Sequence, residues 1–243
     1  MENRITDWIK RQVKEAGAKG TVIGLSGGVD SALAAALCKK AVGRKRLLAL
    51  IMPCLSNPQD MKDAQLVAKK LGLNTKTINL SGLYNNFRKI LPAANNLAYA
   101  NLKPRLRMAV LYYFANKLNY LVCGTGNKSE LNIGYFTKHG DGATDILPLG
   151  CLLKKDVRRL AEKLGVPKQI INKPPSAGLW RGQTDEGEMG ISYAELDDIL
   201  GCLEGNKKQV APKAKIKKIK EMIRRSEHKR QGPRICHISR DNR

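Results

Sequence analysis

One glycine-rich stretch decides the fold of this chain: Gly24-Leu25-Ser26-Gly27-Gly28-Val29-Asp30-Ser31. It follows the apolar run 21–23 and leads into the apolar run 32–37. That order predicts a buried strand, a tight turn and then a helix, because glycine permits the sharp turn that a strand-to-helix connection needs.

The residues of this turn suit a phosphate group. The adjacent Gly27 and Gly28 let backbone N–H groups point into one concavity, and the start of the next helix adds partial positive charge. Ser26 and Ser31 can donate further hydrogen bonds, and Asp30 can hold a divalent cation near the phosphates. From these residues alone, the alternative is a glycine-rich connector in which Asp30 caps the helix.

Strand and helix patterns alternate along the first half of the chain. Apolar runs predict strands over about 20–25, 47–51, 75–80 and 120–123, the third nearer the edge of the sheet. Helical spacing of apolar residues predicts helices over about 3–16, 29–41, 58–71 and 103–118, with mixed helix and loop over 81–101. This alternation is typical of an α/β fold, a doubly wound parallel sheet with helices on both faces.

The second half of the chain is richer in loops. Helices are predicted over about 154–164, 192–200 and 215–229. The Pro- and Gly-containing stretch 172–190 is predicted to be a long loop with a function or mobility of its own, and the polar stretch 206–214 to be disordered. We treat 1–243 as a single domain, with a core over about 20–165 and a C-terminal extension over about 166–243.

Composition limits the class of protein. The 243 residues are 42% hydrophobic, which suits a globular domain, and no apolar run approaches the roughly 20 residues of a membrane span. No secretory signal opens the sequence. Several of the six cysteines lie in apolar runs and none forms a C-x-x-C pair, which predicts buried free thiols in a cytoplasmic protein. Three histidines without ligand spacing do not indicate a zinc site.

The formal net charge of +23 implies a phosphate-rich partner, which nucleotides satisfy as well as RNA does. Much of the surplus comes late, since residues 206–243 hold fourteen Lys and Arg against three Asp and Glu. Aromatic residues for stacking on bases are sparse there, so we do not expect nucleic acid as a main partner. A solvated basic tail is the simpler interpretation.

A second carboxylate is expected to meet the glycine-rich turn. In open parallel sheets, ligands bind beyond the carboxyl ends of the strands. Glu130 follows the fourth predicted strand by a short turn, so it can face Asp30 across the crevice, and two carboxylates beside a triphosphate would hold Mg²⁺. Thr125 can bond a nucleotide sugar or phosphate, although an ordinary strand-to-helix turn explains Thr125 and Glu130 equally well on their own.

The glycine-rich turn resembles a known signature. It lacks the Gly-Lys-Ser/Thr ending of a Walker A loop and the spacing of a dinucleotide-binding G-x-G-x-x-G. Residues 26–31 read S-G-G-x-D-S, which resembles the PP-loop ATP pyrophosphatases, enzymes that cleave ATP between the α- and β-phosphates and adenylate a substrate. The resemblance implies an adenine nucleotide alpha hydrolase-like fold and leaves the substrate open.

Later runs resemble one family within that superfamily, the ammonia-dependent NAD synthetases. The runs that carry the resemblance keep the order they have in that family: Gly124 to Glu130, Gly134 to Gly142, Asp145 to Leu149, Pro174 to Trp180, Gln183 to Glu186, Glu188 to Tyr193 and Glu227 to Arg230. Together with the glycine-rich turn, these runs extend over most of the chain.

The resemblance implies roles for individual residues. It implies ATP contacts for Gly24, Leu25, Ser26, Gly27, Gly28, Val29, Asp30, Ser31, Thr125, Lys154 and Ser176, the last standing where many relatives have threonine. It implies deamido-NAD contacts for Arg105, Lys138, Asp145, His228 and Lys229. Asp30 and Glu130 are the implied Mg²⁺ ligands, and with Lys154 they form the catalytic group. The second strand ends in Ile51-Met52-Pro53, without the arginine that often faces adenine, so no adenine contact is assigned.

The implied reaction is the last step of NAD biosynthesis. ATP would adenylate the nicotinate carboxylate of deamido-NAD, ammonia would displace AMP, and no glutaminase domain is expected in a chain of this length. The family implies a homodimer with a shared substrate site, for which the helices over 3–16 and 103–119 are interface candidates. No membrane partner is expected.

Two other functions are also compatible with the sequence. A PP-loop tRNA-modifying enzyme would suit the charge, although no catalytic cysteine pair and no RNA-binding appendage is evident. A basic nucleotide sensor or RNA-binding protein without catalysis is the other, and the presence of both Asp30 and Glu130 speaks against it.

Overall fold

The computed structural model describes residues 1–180, 182–205 and 211–236. Its centre is a sheet of four parallel strands, β1 (Gly20–Gly24), β2 (Leu47–Ile51), β3 (Thr75–Thr77) and β4 (Tyr120–Cys123), in the order β3-β2-β1-β4. In the register, Val22 of β1 lies between Leu48 of β2 and Val122 of β4. The predicted parallel α/β sheet, with its third strand at the edge, is confirmed.

Twelve α-helices surround the sheet in the described residues. In chain order they are α1 (Glu2–Glu15), α2 (Val29–Val42), α3 (Pro58–Leu71), α4 (Ser81–Ile90), α5 (Asn96–Leu118), α6 (Lys128–Ile133), α7 (Lys154–Lys163), α8 (Lys168–Ile171), α9 (Asp185–Met189), α10 (Tyr193–Leu203), α11 (Lys213–Arg225) and α12 (Glu227–Arg230).

Both faces of the sheet are covered by apolar helix faces. On one face α1, α2, α3 and α7 pack against residues such as Ile23 and Ala49, with Leu33 and Leu37 of α2 fully buried. On the other face α4 and α5 pack against Val22, Leu50 and Val122. Strands β1, β2 and β4 are mainly apolar because helices cover both sides of the sheet, as expected of a doubly wound sheet, whereas the edge strand β3 is polar and exposed.

The C-terminal helices form a smaller apolar cluster beside the sheet. Tyr193, Leu196 and Ile199 of α10 are buried together with Ile219 of α11 and Met189 of α9. A capping box fixes the start of α10, as its Ser192–Glu195 spacing predicts. The cluster packs against α6 and α7, and this packing joins the C-terminal segment to the rest of the fold.

The structure corrects several predicted boundaries. Helix α5 begins at Asn96, not near 103, because the Asn95 side chain accepts from the Ala98 N–H and Pro104 is accommodated inside the helix. The long loop ends at 184, since α9 follows it. The predicted basic helix divides at Ser226 into α11 and α12. Of the stretch predicted to be disordered, residues 206–210 lie outside the described residues.

The six cysteines differ in exposure, and Cys202 is half-buried. Cys38, Cys54 and Cys123 are buried free thiols, as their apolar surroundings predict. Cys151 and Cys236 are exposed, so the prediction of burial is wrong for these two, which lie in turn or irregular segments and not in strands or helix interiors.

None of the helices in the described part of the chain has the length and apolar character that crossing a lipid bilayer requires.

Candidate active site

The glycine-rich turn is held in shape by its own hydrogen bonds. The Ser31 hydroxyl accepts from the Ser26 N–H at 3.2 Å and donates to the Gly28 carbonyl at 3.0 Å. Gly27 has a φ of +82°, and a Cβ there would lie 2.5 Å from the Asp60 carbonyl oxygen. Only glycine combines that backbone angle with such close packing, so the turn is formed before any ligand arrives.

The turn lies where the strand order reverses. From β1 the chain moves to β2 and β3 on one side, and then crosses to β4 on the other side. The turn after β1 and the turn after β4 therefore flank one crevice at the carboxyl ends of the strands, which is where open α/β sheets bind ligands. Asn127 connects the two turns, since its side-chain amide donates to Asp30 Oδ1 at 2.8 Å.

Lys154, Asp30 and Glu130 form a compact ionic cluster in this crevice. The Lys154 Nζ lies 2.6 Å from Asp30 Oδ2 and 3.1 Å from Glu130 Oε1. Lys154 is only 2% exposed. The three catalytic candidates come from α2, α6 and α7, and the fold brings all of them together.

The backbone around Lys154 is fixed at the N-terminus of α7. The Lys154 N–H donates to the Ser129 hydroxyl at 3.0 Å, and the next N–H, of Lys155, donates to Asp197 Oδ2 at 2.9 Å. Ser129 in turn donates to Asp197 Oδ1. The buried Asp197 on α10 therefore accepts from the second N–H of α7 and orients the Ser129 hydroxyl that accepts from the first, and this fixes where the lysine side chain begins.

Burial and charge act in opposite directions on these groups. Burial raises the pKa of Glu130 to about 7, with the neighbouring Asp30 adding to the effect while Lys154 opposes it. Burial disfavours the Lys154 ammonium, but the two carboxylates outweigh it and raise the pKa of Lys154 above its usual value. The cluster thus keeps a permanent positive charge between two acidic groups.

Tyr193 completes the cluster, and sequence reasoning gave it no role. Its hydroxyl lies 3.2 Å from Glu130 Oε1 and 3.0 Å from Asp185 Oδ2, and its ring centroid lies 4.7 Å from the Lys154 ammonium. Tyr193 is 2% exposed, and burial raises its pKa so that it stays a neutral phenol. Tyr193 ends one of the runs that carry the resemblance, but no spacing within that run links it to Glu130 or Lys154, which lie far away along the chain.

Asn127 also had no assigned role, but its signal is present in the sequence. Asn127 and Glu130 have the spacing of a capping box, and both of its hydrogen bonds form at the start of α6. Glu130 therefore accepts from the Asn127 N–H at 3.2 Å through one oxygen and from Lys154 through the other. One carboxylate thus caps a helix and lines the candidate site.

The loop over 172–184 lies beside the glycine-rich turn. Lys173 pairs with Asp60 at 2.7 Å and with Asp63 at 2.6 Å, and these are the α3 residues on which Gly27 packs. Lys103 of α5, 6% exposed, donates to the Leu179 carbonyl at 2.7 Å. The loop is thus attached to α3 through its own Lys173 and to α5 through Lys103, and both contacts hold it near the crevice.

The remaining expected ATP residues lie at the edges of the crevice. The Ser176 hydroxyl donates to the Gln183 carbonyl at 2.7 Å and accepts from the Gly178 N–H at 3.1 Å, so it organises the loop internally. Thr125 is half-buried in the turn after β4, three residues before α6 begins at Lys128. Neither residue has a hydrogen bond to the ionic cluster among those of the described residues.

Four of the five residues expected to contact deamido-NAD form a second basic group. Arg105 donates to the Lys138 carbonyl at 3.4 Å, and Lys138 Nζ donates to the His228 carbonyl at 2.5 Å. Lys229 donates to the carbonyls of Gly134 and Phe136 at 2.8 and 3.0 Å. Helix α12 is therefore held against the segment over 134–138.

Asp145, the fifth of these residues, is engaged elsewhere. Its Oδ2 accepts from the Val122 N–H at 2.7 Å, and its Oδ1 accepts from the Tyr112 hydroxyl at 3.0 Å. Asp145 and burial together raise the pKa of Tyr112 to about 12, with burial the larger cause. In the described chain this carboxylate holds the edge of β4 and is not hydrogen-bonded to the basic group.

The donor set fits a divalent cation. Asp30 and Glu130 already converge on one positive centre, the Lys154 ammonium, and carboxylate oxygens are the ligands that Mg²⁺ prefers. Within residues 1–180, 182–205 and 211–236, no group of three or more His, Cys, Asp or Glu side chains is arranged around a metal position. A cation here would share its coordination with substrate oxygens and water, as Mg²⁺ commonly does.

Comparison with known proteins decides the family. The family model described as NAD synthase matches residues 1–233. The chain belongs to the NAD synthase family. The predicted resemblance is confirmed, and the members of the NAD synthase family reported below agree with the predicted PP-loop type of α/β fold.

Individual proteins of known sequence or structure match nearly the whole chain. The NH(3)-dependent NAD(+) synthetase of Archaeoglobus fulgidus is 50% identical over 97% of this chain and 95% of its own length. A solved structure of an NMN synthetase from Francisella tularensis has a TM-score of 0.89 at 41% identity, covering 98% of this chain and 97% of that one. The NH3-dependent NAD synthetase of Campylobacter jejuni has a TM-score of 0.83 at 32% identity, covering 97% of both chains.

Proposed function

We propose that this chain converts deamido-NAD into NAD with ATP and ammonia, releasing AMP and pyrophosphate. The observation that carries the proposal is the ionic cluster, in which Asp30, Glu130 and Lys154 meet beside a preformed phosphate turn. Membership of the NAD synthase family supports the reaction, and the similarity to NH3-dependent synthetases supports ammonia as the nitrogen donor.

The proposed chemistry has two steps. The nicotinate carboxylate attacks the α-phosphorus of ATP, the bond to the bridging α–β oxygen breaks, and pyrophosphate leaves with its electron pair. Ammonia then attacks the carbonyl carbon of the acyl adenylate, loses a proton, and AMP departs. The chain needs no nucleophilic side chain, because the substrate carboxylate is the nucleophile.

The residues of the crevice would bind and stabilise the phosphates. The N–H groups of residues 26–31 and the N-terminus of α2 would bind phosphate oxygens, and Lys154 would neutralise charge that develops on them. Mg²⁺ held by Asp30 and Glu130 would draw negative charge from the pyrophosphate leaving group. The loop over 172–184, held by Lys103 and Lys173, would keep water from the adenylate.

The other parts of the site are proposed from the same resemblance. Arg105, Lys138, His228 and Lys229 would bind the dinucleotide, and Asp145 would contribute from a separate position, in keeping with a site shared by two subunits. We propose a homodimer in the cytoplasm, where buried free thiols such as Cys38 and Cys123 stay reduced. We also propose that the core over about 20–165 and its C-terminal extension act as one domain, since α10 supplies Tyr193 and Asp197 to the site.

One observation favours testing a second substrate. The solved structure with a TM-score of 0.89 is named an NMN synthetase, which indicates a mononucleotide product. The same two steps would amidate nicotinate mononucleotide, because only the non-reacting part of the substrate differs. The alternative of a tRNA-modifying enzyme is not favoured, since the whole-chain family match is to NAD synthase.

The decisive experiment supplies purified protein with ATP, Mg²⁺ and ammonium, and compares deamido-NAD with nicotinate mononucleotide as acceptor. We expect NAD and AMP in equal amounts with deamido-NAD, and little product when glutamine replaces ammonium. A clear preference for the mononucleotide would replace the proposed substrate. ATP-dependent modification of tRNA without NAD formation would replace the proposed function.

Asp30→Asn tests the assignment of the cluster. The change removes one of the two charges that face the phosphates, so we expect turnover to fall by about 100-fold or more while circular dichroism stays unchanged. Asp156→Asn is the matched control, since Asp156 also lies in the first turn of a helix but pairs with the exposed Arg159 at 3.0 Å. Near-normal turnover of Asp30→Asn would show that the metal assignment is wrong.

A further inference from the structure

We propose that Lys154 is the internal counter-ion of the nucleotide-free enzyme, which occupies the cation position between Asp30 and Glu130 until a triphosphate draws it away. This inference rests on the proposed use of ATP and Mg²⁺ and adds an order of binding: the free enzyme excludes a divalent cation, and the cation enters together with the nucleotide.

The first argument is that protein groups surround the Lys154 ammonium on three sides. Its N–H groups are directed to Asp30 Oδ2 at 2.6 Å and to Glu130 Oε1 at 3.1 Å, and its third side faces the Tyr193 ring at 4.7 Å. A lysine whose only role was to bind phosphate would be expected to extend into the glycine-rich turn. This one instead neutralises the pair of carboxylates that the phosphate site needs for its cation.

The second argument concerns space. A divalent cation bound to Asp30 and Glu130 would require the oxygens that the ammonium now contacts, at distances of roughly 2.0–2.1 Å for Mg²⁺. Two positive centres cannot occupy that small volume. Lys154 is only 2% exposed, so little solvent would screen the repulsion between its ammonium and the cation. The lysine and the cation are therefore alternatives at these two oxygens.

The third argument is that the rest of the cluster stays in place when the lysine moves. Asn127 holds the other oxygen of Asp30 at 2.8 Å, and the Asn127 N–H holds the second oxygen of Glu130 at 3.2 Å. The backbone at residue 154 is fixed by Ser129 and Asp197, so only the side chain can swing. Its flexible four-carbon stem allows that movement, and the phosphate oxygens would offer a new partner for the charge.

The test measures Mn²⁺ binding to nucleotide-free protein, with free Mn²⁺ followed by electron paramagnetic resonance. We expect weak binding by the wild type and binding tighter by about tenfold or more for Lys154→Met, because the substitution leaves two half-buried carboxylates without their cation. Adding Asp30→Asn to Lys154→Met should abolish the gain. Equal dissociation constants for the wild type and Lys154→Met would overturn the proposal, as would a gain that survives the second substitution.

Lys128→Met is the matched control for charge. Lys128 lies on α6 close to Glu130 in the chain, but its ammonium pairs with Glu204 at 2.6 Å, so its loss lowers the net charge without freeing the cluster. An equal gain in Mn²⁺ binding by this variant would overturn the proposal, because net charge alone would then explain the effect. If Lys154→Met does not fold, Lys154→Gln removes the same charge and keeps a hydrogen-bond donor, and the same comparison applies.

The outcome is independent of the substrate assignment. If the wild type makes NAD but Mn²⁺ binds equally to both proteins, the counter-ion role is wrong and the proposed function stands. If Lys154→Met gains Mn²⁺ affinity but the wild type makes no NAD from deamido-NAD, the substrate assignment is wrong and the counter-ion role stands.

Discussion

Gly27 shows how one residue sets the shape of the phosphate turn. It has a φ of +82°, and its α-carbon lies against the backbone of α3 at Asp60. The neighbouring Gly28 has an extended backbone, and a Cβ there would meet only the Ser26 hydroxyl, at 3.4 Å. The two glycines are adjacent in sequence, yet only the first is required by both its backbone angle and its packing.

We predict that Gly27→Ala disrupts the turn, whereas Gly28→Ala leaves the stability of the fold nearly unchanged. An alanine at residue 27 would have to keep a left-handed backbone, and its methyl group would be forced toward the Asp60 carbonyl. The combined strain is roughly 2 kcal/mol or more. Thermal unfolding followed by circular dichroism measures the difference. Equal melting temperatures for the two variants would contradict the packing argument.

The residues of the site that could be predicted are those that belong to a local sequence pattern. Asp30 and Glu130 were expected to meet because each follows a predicted strand at the same edge of the sheet, and they share Lys154. Tyr193 and Asp197 were not expected, because they reach the site through the packing of α10 on α6 and α7. That packing depends on side-chain shapes in three dimensions, which spacing along the chain does not encode.

At the scale of elements, the loop over 172–184 is the part whose position matters most. Its length and its Pro and Gly content favoured a mobile loop, and its attachment points could not be predicted because the partners lie on α3 and α5. Lys103 donates to the Leu179 carbonyl and not to a carboxylate, and its burial lowers its pKa below the usual value for lysine. Such a buried ammonium depends on the loop carbonyl that it contacts.

We predict that Lys103→Met loosens the loop without unfolding the chain. Methionine can fill the space beside Tyr84, but the hydrogen bond to the Leu179 carbonyl is lost. A hydrogen bond to a charged group contributes about 1.5 kcal/mol or more, so opening of the loop should become roughly tenfold more frequent. Chymotrypsin cleavage beside Trp180, which is 44% exposed, measures that opening.

Lys117→Met is the control for this experiment, since Lys117 is an exposed residue in the last turn of the same helix. Its cleavage rate should match that of the wild type. If Lys103→Met is also cleaved at the wild-type rate, the buried lysine does not hold the loop.

At the scale of the whole molecule, the two helices considered for a subunit interface differ in how much apolar surface they leave. Ile5, Ile9 and Val13 of α1 are buried in the core of this chain, so that helix is used for covering the sheet. Helix α5 keeps Tyr113 59% exposed, next to Phe114 at a centroid distance of 5.3 Å. Of the two candidates, α5 is therefore the better one for contact with a second copy.

We predict that Tyr113→Lys halves the mass of the proposed homodimer in sedimentation velocity, because a charge replaces a large ring where apolar contact is needed. Leu83→Lys, a comparable exposed position on α4 at 45%, should leave the mass unchanged. A wild-type protein that sediments as a monomer would refute the homodimer itself, and a dimeric Tyr113→Lys would move the interface away from α5.

The dependence of Lys154 on α10 has a consequence for protein synthesis. Asp30, Asn127 and Glu130 leave the ribosome well before Tyr193 and Asp197, which close the cluster and fix the start of α7. A nascent chain can thus build its sheet and its phosphate turn early, while the residues that position the lysine are still missing. The groups that surround Lys154 are therefore all present only after α10 has been translated, whereas the strands and the glycine-rich turn need only earlier residues.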